Sequence, residues 1–150
     1  MTQYRTAFRS LFIAGFLAVG LSACNTMGNS NVVVTKTQMT AAQEVPPNSS
    51  SATGMIETKF DKSTSVLSWK LTYSGLTGPA AAAHFHGPAA MGANAGVVVP
   101  FTNPISSGLE GQATLTAAQA ADFLAGKWYA NVHTAANKGG EIRGQVMPGM

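Results

Sequence analysis

The chain has 150 residues, 45% of them hydrophobic and 10% charged, with nine Lys and Arg against six Asp and Glu. A chain of this length buries one core and forms one domain, not two. Its single cysteine excludes an intramolecular disulfide, so stability in any oxidising compartment must come from packing.

Residues 1–23 have the three-part form of an export signal: Arg5 and Arg9, an apolar run from Leu11 to Leu21, then small residues. The run is short for a membrane-spanning helix. Leu21-Ser22-Ala23-Cys24 resembles a lipobox, where lipoprotein processing acylates the cysteine and cuts before it. Cys24 is therefore expected as the lipidated, palmitate-bearing first residue of the mature protein. Asn25 resembles an outer-membrane sorting signal, which predicts a lipid-anchored protein of the cell envelope, in the outer membrane and facing the periplasm or the cell surface. Loss of Arg5 and Arg9 leaves seven basic against six acidic residues, a net charge of +1. The high isoelectric point is then no reason to expect nucleic acid as a partner. Residues 24–31 are polar and aperiodic and read as a flexible tether.

From 32 to 150 the pattern is that of one all-β domain, an antiparallel β-sandwich with one short helix. Runs rich in Val, Thr, Ile and aromatics, separated by Gly, Pro, Asn and Ser, predict strands near 32–39, 54–60, 65–74, 81–86, 96–101, 108–115, 127–133 and 141–147. Alternation assigns faces: Leu67, Trp69, Leu71 and Tyr73 oppose Ser68, Lys70 and Thr72, and Ile56, Thr58 and Phe60 oppose Glu57 and Lys59. Thr116 and Gln119 resemble a capping box for a helix over 117–124, which Gly126 can stop. Residues 61–64 and 137–140 read as hairpin turns, and 87–96 as a longer loop.

All three histidines fall in two of these strands. His84 and His86 stand roughly 6.6 Å apart on one face of a strand, with Phe85 on the other. In the seventh strand Trp128, Ala130 and Val132 form an apolar face, and Tyr129, Asn131 and His133 the polar one. Three imidazoles without a thiolate suit copper or zinc, and three ligands leave a position open for water or a small molecule. Glu141, Arg143 and Asn131 are candidates for orienting a histidine or guiding an anion. The competing reading gives the histidines only structural hydrogen bonds, and makes Glu141 and Arg143 a same-face ion pair or sheet-edge hydrogen bonds. No nucleophile elbow, phosphate loop, dinucleotide fingerprint or catalytic carboxylate pair is present.

Four segments, Gln43-Glu44-Val45-Pro46-Pro47, Ala83-His84-Phe85-His86-Gly87-Pro88, Gly126 to Thr134 (GKWYANVHT) and Gly140-Glu141-Ile142-Arg143-Gly144-Gln145, occur here in the order in which they recur in the CHRD domain. The chain resembles that domain, the module named after the developmental regulator chordin and also found singly in secreted bacterial proteins, over about residues 35–147. The resemblance implies an immunoglobulin-like or superoxide-dismutase-like sandwich. Copper-zinc superoxide dismutases, a more distant likeness, also place copper ligands as His-x-His on one strand and a later histidine after a valine. His84, His86 and His133 match those positions. Without a fourth, bridging histidine or a disulfide the two-metal dismutase is excluded, and a copper-only centre is allowed.

Two functions follow as expectations. In the first, an envelope lipoprotein binds one copper or zinc ion through His84, His86 and His133, for metal handling or, as a copper-only dismutase-like oxidoreductase, for superoxide or oxygen chemistry. In the second, the domain is a non-catalytic module that recognises an extracytoplasmic protein or a glycan.

Overall fold

The computed structural model describes Met1 and residues 31–149; the export signal, Cys24 and most of the tether lie outside these residues. Eight strands follow in chain order: β1 Val32–Thr40, β2 Thr53–Asp61, β3 Val66–Ser74, β4 Ala80–His86, β5 Val97–Pro100, β6 Leu109–Thr114, β7 Trp128–Thr134 and β8 Ile142–Val146. A 3-10 turn, Ala41–Gln43, follows β1, and one helix, α1 Ala117–Leu124, lies between β6 and β7. Among the described residues no helix is long and apolar enough to cross a membrane.

The strands form one antiparallel sheet in the order β5-β4-β7-β8-β1-β2-β3-β6. Its weakest seam is β8 to β1, where the only paired residues are Thr40 and Arg143. β3 and β4, far apart in strand order, meet through their inner faces. Trp69 of β3 packs edge-on against Phe85 of β4 at 5.3 Å between ring centroids, and stacks at 4.9 Å on Phe101 beyond β5. The inner face is made by the alternation read above: Ile56 and Phe60, Leu67, Trp69 and Leu71, Ala83 and Phe85, Trp128, Ala130 and Val132 are all buried. The all-β expectation holds, in a single sheet that is barrel-like or sandwich-like.

Two local devices tune this packing. Gly111 of β6 has no side chain because the Trp69 indole lies on its backbone, and a Cβ there would come within 2.5 Å of the ring. In α1 both halves of the capping box form: Thr116 Oγ1 accepts from the Gln119 amide at 3.3 Å, and Gln119 Oε1 accepts from the Thr116 amide at 2.9 Å. The helix buries Phe123 against Phe60 and Trp128 and so covers one end of the core.

The outer face of β4, β7 and β8 is polar and is where the histidines stand. Residues 87–96 cross over it and are strapped down from below. Gln145 donates to the Ala89 carbonyl at 3.1 Å, and Arg143 donates to Ala93 O at 2.7 Å and to Asn94 Oδ1 at 2.9 Å.

Candidate metal centre

His84 and His86 share the outer face of β4 because they are two residues apart, a property of the strand alone. His133 joins them through strand pairing. In the β4–β7 register His84 lies opposite Asn131, His86 opposite Tyr129 and Ala82 opposite His133, so His133 sits diagonally beside His84. One ring nitrogen of each histidine lies within 4.8 Å of the other two. The closest approach, His84 Nδ1 to His133 Nε2, is 3.2 Å.

Neighbouring carbonyls fix which nitrogen carries the proton. A carbonyl oxygen only accepts, so the ring nitrogen facing one must be N–H. His86 Nδ1 faces Ala95 O at 3.0 Å and His133 Nδ1 faces Lys138 O at 2.9 Å. In a neutral ring each then turns a bare lone pair outward from Nε2. His86 Nε2 is fully buried and has no hydrogen-bond partner among the described residues. An orphaned lone pair of this kind costs free energy unless something electrophilic meets it.

Burial also keeps the His84 and His133 rings neutral. Loss of hydration pushes the His84 pKa down to about 4, and the adjacent His133 and His86 add to the shift. Burial lowers His133 as well, and the bond to the Lys138 carbonyl opposes that shift. Neutral imidazole is the form that binds a metal.

The surroundings hold the cluster stiffly. The His86 ring stacks face to face on Tyr129, 4.8 Å between centroids and 3° from parallel, and the Arg143 guanidinium carbon lies 3.4 Å from the Tyr129 ring centroid. Tyr129 Oη donates to Ala95 O at 3.3 Å. Arg143 is 2% exposed and its guanidinium is taken up by the 87–96 loop and by Tyr129. It fastens the loop from beneath and presents no open cationic surface.

Asn131 is the sequence candidate that sits nearest the rings, its Oδ1 at 2.9 Å from His133 Nε2. Glu141 is carried elsewhere. It follows Gly140, whose φ of +135° favours glycine, and precedes β8. Its carboxylate accepts four bonds: from Ser50 Oγ at 2.7 Å, Thr77 N at 2.8 Å, Thr77 Oγ1 at 2.7 Å and Thr134 Oγ1 at 2.6 Å. Desolvation pushes its pKa up, but these donors outweigh it and hold the group at about 2. They tie together the loop after β1, the loop after β3 and the end of β7, and none of them is an imidazole. Nor do Glu141 and Arg143 form an ion pair.

One acidic residue of this face was not picked out from the sequence. Glu44 enters the sequence pattern only within the segment Gln43 to Pro47, yet it folds back from the 3-10 turn after β1 onto Gly140, where its carboxylate fills the space a Cβ would need. It is 5% exposed and Oε1 has no hydrogen-bond partner among the described residues. Burial pushes its pKa up to about 7, while Arg143, the Val45 amide and the Asn131 side chain pull the other way. The local signal was the glycine pair at 139–140, a gap shaped for something else to occupy.

A model of the CHRD domain matches residues 35–146. No curated protein and no solved structure matches the chain.

Proposed function

From the premise that the chain belongs to the CHRD-domain family, we propose that its domain binds one copper or zinc ion through His84, His86 and His133, held in the cell envelope by lipid on Cys24. The observation that carries this reading is His86 Nε2: a buried, unpartnered lone pair in a group of three imidazole nitrogens within 4.8 Å. The donor set is three imidazoles and no thiolate, which suits copper and zinc. Nitrogens on opposite sides of one such ion are at most about 4.1 Å apart, given metal–nitrogen bonds of about 2.0–2.1 Å. A spacing of 4.8 Å therefore closes by at least about 0.7 Å on binding, and the half-buried rings of His84 and His133 are better placed to move than the stacked His86.

Copper bound here would supply one-electron chemistry, and zinc a Lewis acid. The chain's own contribution is to fix tautomers through the Ala95 and Lys138 carbonyls, to clamp His86 on Tyr129, and to seal the face with residues 87–96.

The test is a titration of purified protein with Cu(II) or Zn(II), read by metal analysis and copper EPR. One equivalent bound, with nitrogen hyperfine structure that His86→Ala and His133→Ala each remove, is the expected result. Binding that those variants leave unchanged would refute the site. Envelope anchoring has a separate test: Cys24→Ser is expected to stay unacylated and to leave the membrane fraction.

A further inference from the structure

We propose that the free edge of β6 binds an extended peptide of another protein as an added strand, with a lysine or arginine of that peptide opposite Glu110. The site uses none of the histidines and stands independently of the metal reading.

The geometry starts from the two ends of the sheet. β5 and β6 are the outermost strands, and among the described residues no backbone pairing joins them. A cleft of about 350 Å³ lies between them, with Val98 and Val99 on the β5 side, Leu109, Gly111 and Ala113 on the β6 side, and Trp69 also in its lining. Alternate residues of an edge strand turn their N–H and C=O away from the sheet, and another extended backbone is what matches such a row. β5 is the poorer template, since it has four residues and ends in Pro100, which has no N–H. β6 has six residues and no proline. Trp69 stands directly across from Gly111 of β6, and its Nε1 is a buried donor without an acceptor among the described residues. An unmet buried N–H costs free energy, and a backbone carbonyl is the acceptor that an added strand brings.

The side chains specify which strand. On the outer face Lys36 lies opposite Glu57, Glu57 opposite Lys70, and Lys70 opposite Glu110. Lys36 and Glu57 are ion-paired at 3.0 Å, and Lys70 and Glu110 at 3.3 Å. The sign alternates from strand to strand, and the row stops at the sheet edge on a carboxylate. A residue added opposite Glu110 is therefore favoured when cationic and disfavoured when anionic. Its two neighbours on the added strand point to the inner side, toward Val98, Leu109 and Trp69, and are favoured when apolar. The chain cannot supply this strand from its own edges: neither β5 nor β6 contains a Lys or Arg, and neither do residues 24–31. The occupant is thus a peptide of a different protein, apolar on one face and basic on the other.

The test titrates the purified protein with a heptapeptide of alternating valine and threonine whose central threonine is replaced by lysine, followed by amide resonances and amide exchange. Saturable shifts and slowed exchange confined to Leu109–Thr114 and the facing β5 residues are expected. The same peptide with a central glutamate should bind roughly 3- to 10-fold more weakly, and Glu110→Lys should reverse that order. The lysine peptide N-methylated throughout its backbone should not bind. Unmoved β6 resonances overturn the proposal, as does equal affinity of the wild type for the lysine and glutamate peptides. Undiminished binding of the N-methylated peptide overturns strand addition. A wild-type dimer joined through β6 without peptide would make the edge a self-interface and also overturn the proposal. Should Glu110→Lys fail to fold, Glu110→Gln serves in its place and is expected to abolish the preference between the two peptides.

Discussion

Glu141→Gln isolates a buried charged network of the domain. The carboxylate is wholly buried and accepts four bonds of 2.6–2.8 Å from Ser50, Thr77 and Thr134. The amide keeps the shape and one oxygen. That oxygen can still accept from Ser50 and the Thr77 amide, while the new NH2 group faces two hydroxyls that must turn to accept. What is lost is the charge assistance on these bonds, which sets a cost of about 1–3 kcal/mol. For a domain of this size that is a fall in Tm of roughly 4–10 °C. The sign of the pH dependence follows from a folded-state pKa of about 2, below the ordinary 4.5. A depressed carboxyl contributes stability that is complete above about pH 4.5 and is lost as pH falls toward 2. Urea unfolding of wild type and Glu141→Gln, paired at each pH from 7 to 2.5, should show a gap that is constant above pH 5 and shrinks below 4.5. A gap that does not shrink, or a variant as stable as wild type at pH 7, would refute the assignment of Glu141 as an ionised internal tie.

Glu44 should behave in the opposite sense. Its carboxyl is pushed up to about 7, so the stability it confers is complete below about pH 4.5 and is lost as pH rises through 7. Glu44→Gln is expected to match wild type near pH 4.5 and to exceed it by about 3 kcal/mol at pH 8.5 in the same unfolding assay; equal stability at both pH values would count against it. Gly111→Val places a side chain into the Trp69 ring and should cost about 1–3 kcal/mol, with a shifted tryptophan emission spectrum as the sign that the indole has moved. Thr116→Ala removes the N-terminal cap of α1 and should lower stability by about 1 kcal/mol in thermal unfolding, an effect that Thr116→Ser should largely restore.

The strands were legible in the sequence because alternation is local. A run such as Leu67-Ser68-Trp69-Lys70-Leu71 carries its own inner and outer face, and so does His84-Phe85-His86. The capping box at Thr116 and Gln119 is equally local, four residues that satisfy one another's backbone groups. For the same reason the polar face of β7 could be assigned to Tyr129, Asn131 and His133 before any partner strand was known.

What local pattern could not supply was which strands pair and in what register. His133 meets His84 across 49 residues only because β4 pairs with β7 with His84 opposite Asn131. A slip of one residue would have turned the two polar faces to opposite sides of the sheet. Glu44 and Glu141 show the same division. Each sits in a segment with no strand periodicity, so its direction depends on the turn that carries it: the 3-10 turn after β1 brings Glu44 onto Gly140, and the chain's passage through Gly140 takes Glu141 away to Thr77 and Thr134. Sequence by itself therefore determined the sheet faces and the donor types. The tertiary fold alone decided which donors share a point, because that choice is made by hydrogen bonds between strands and by burial, neither of which has a local signature.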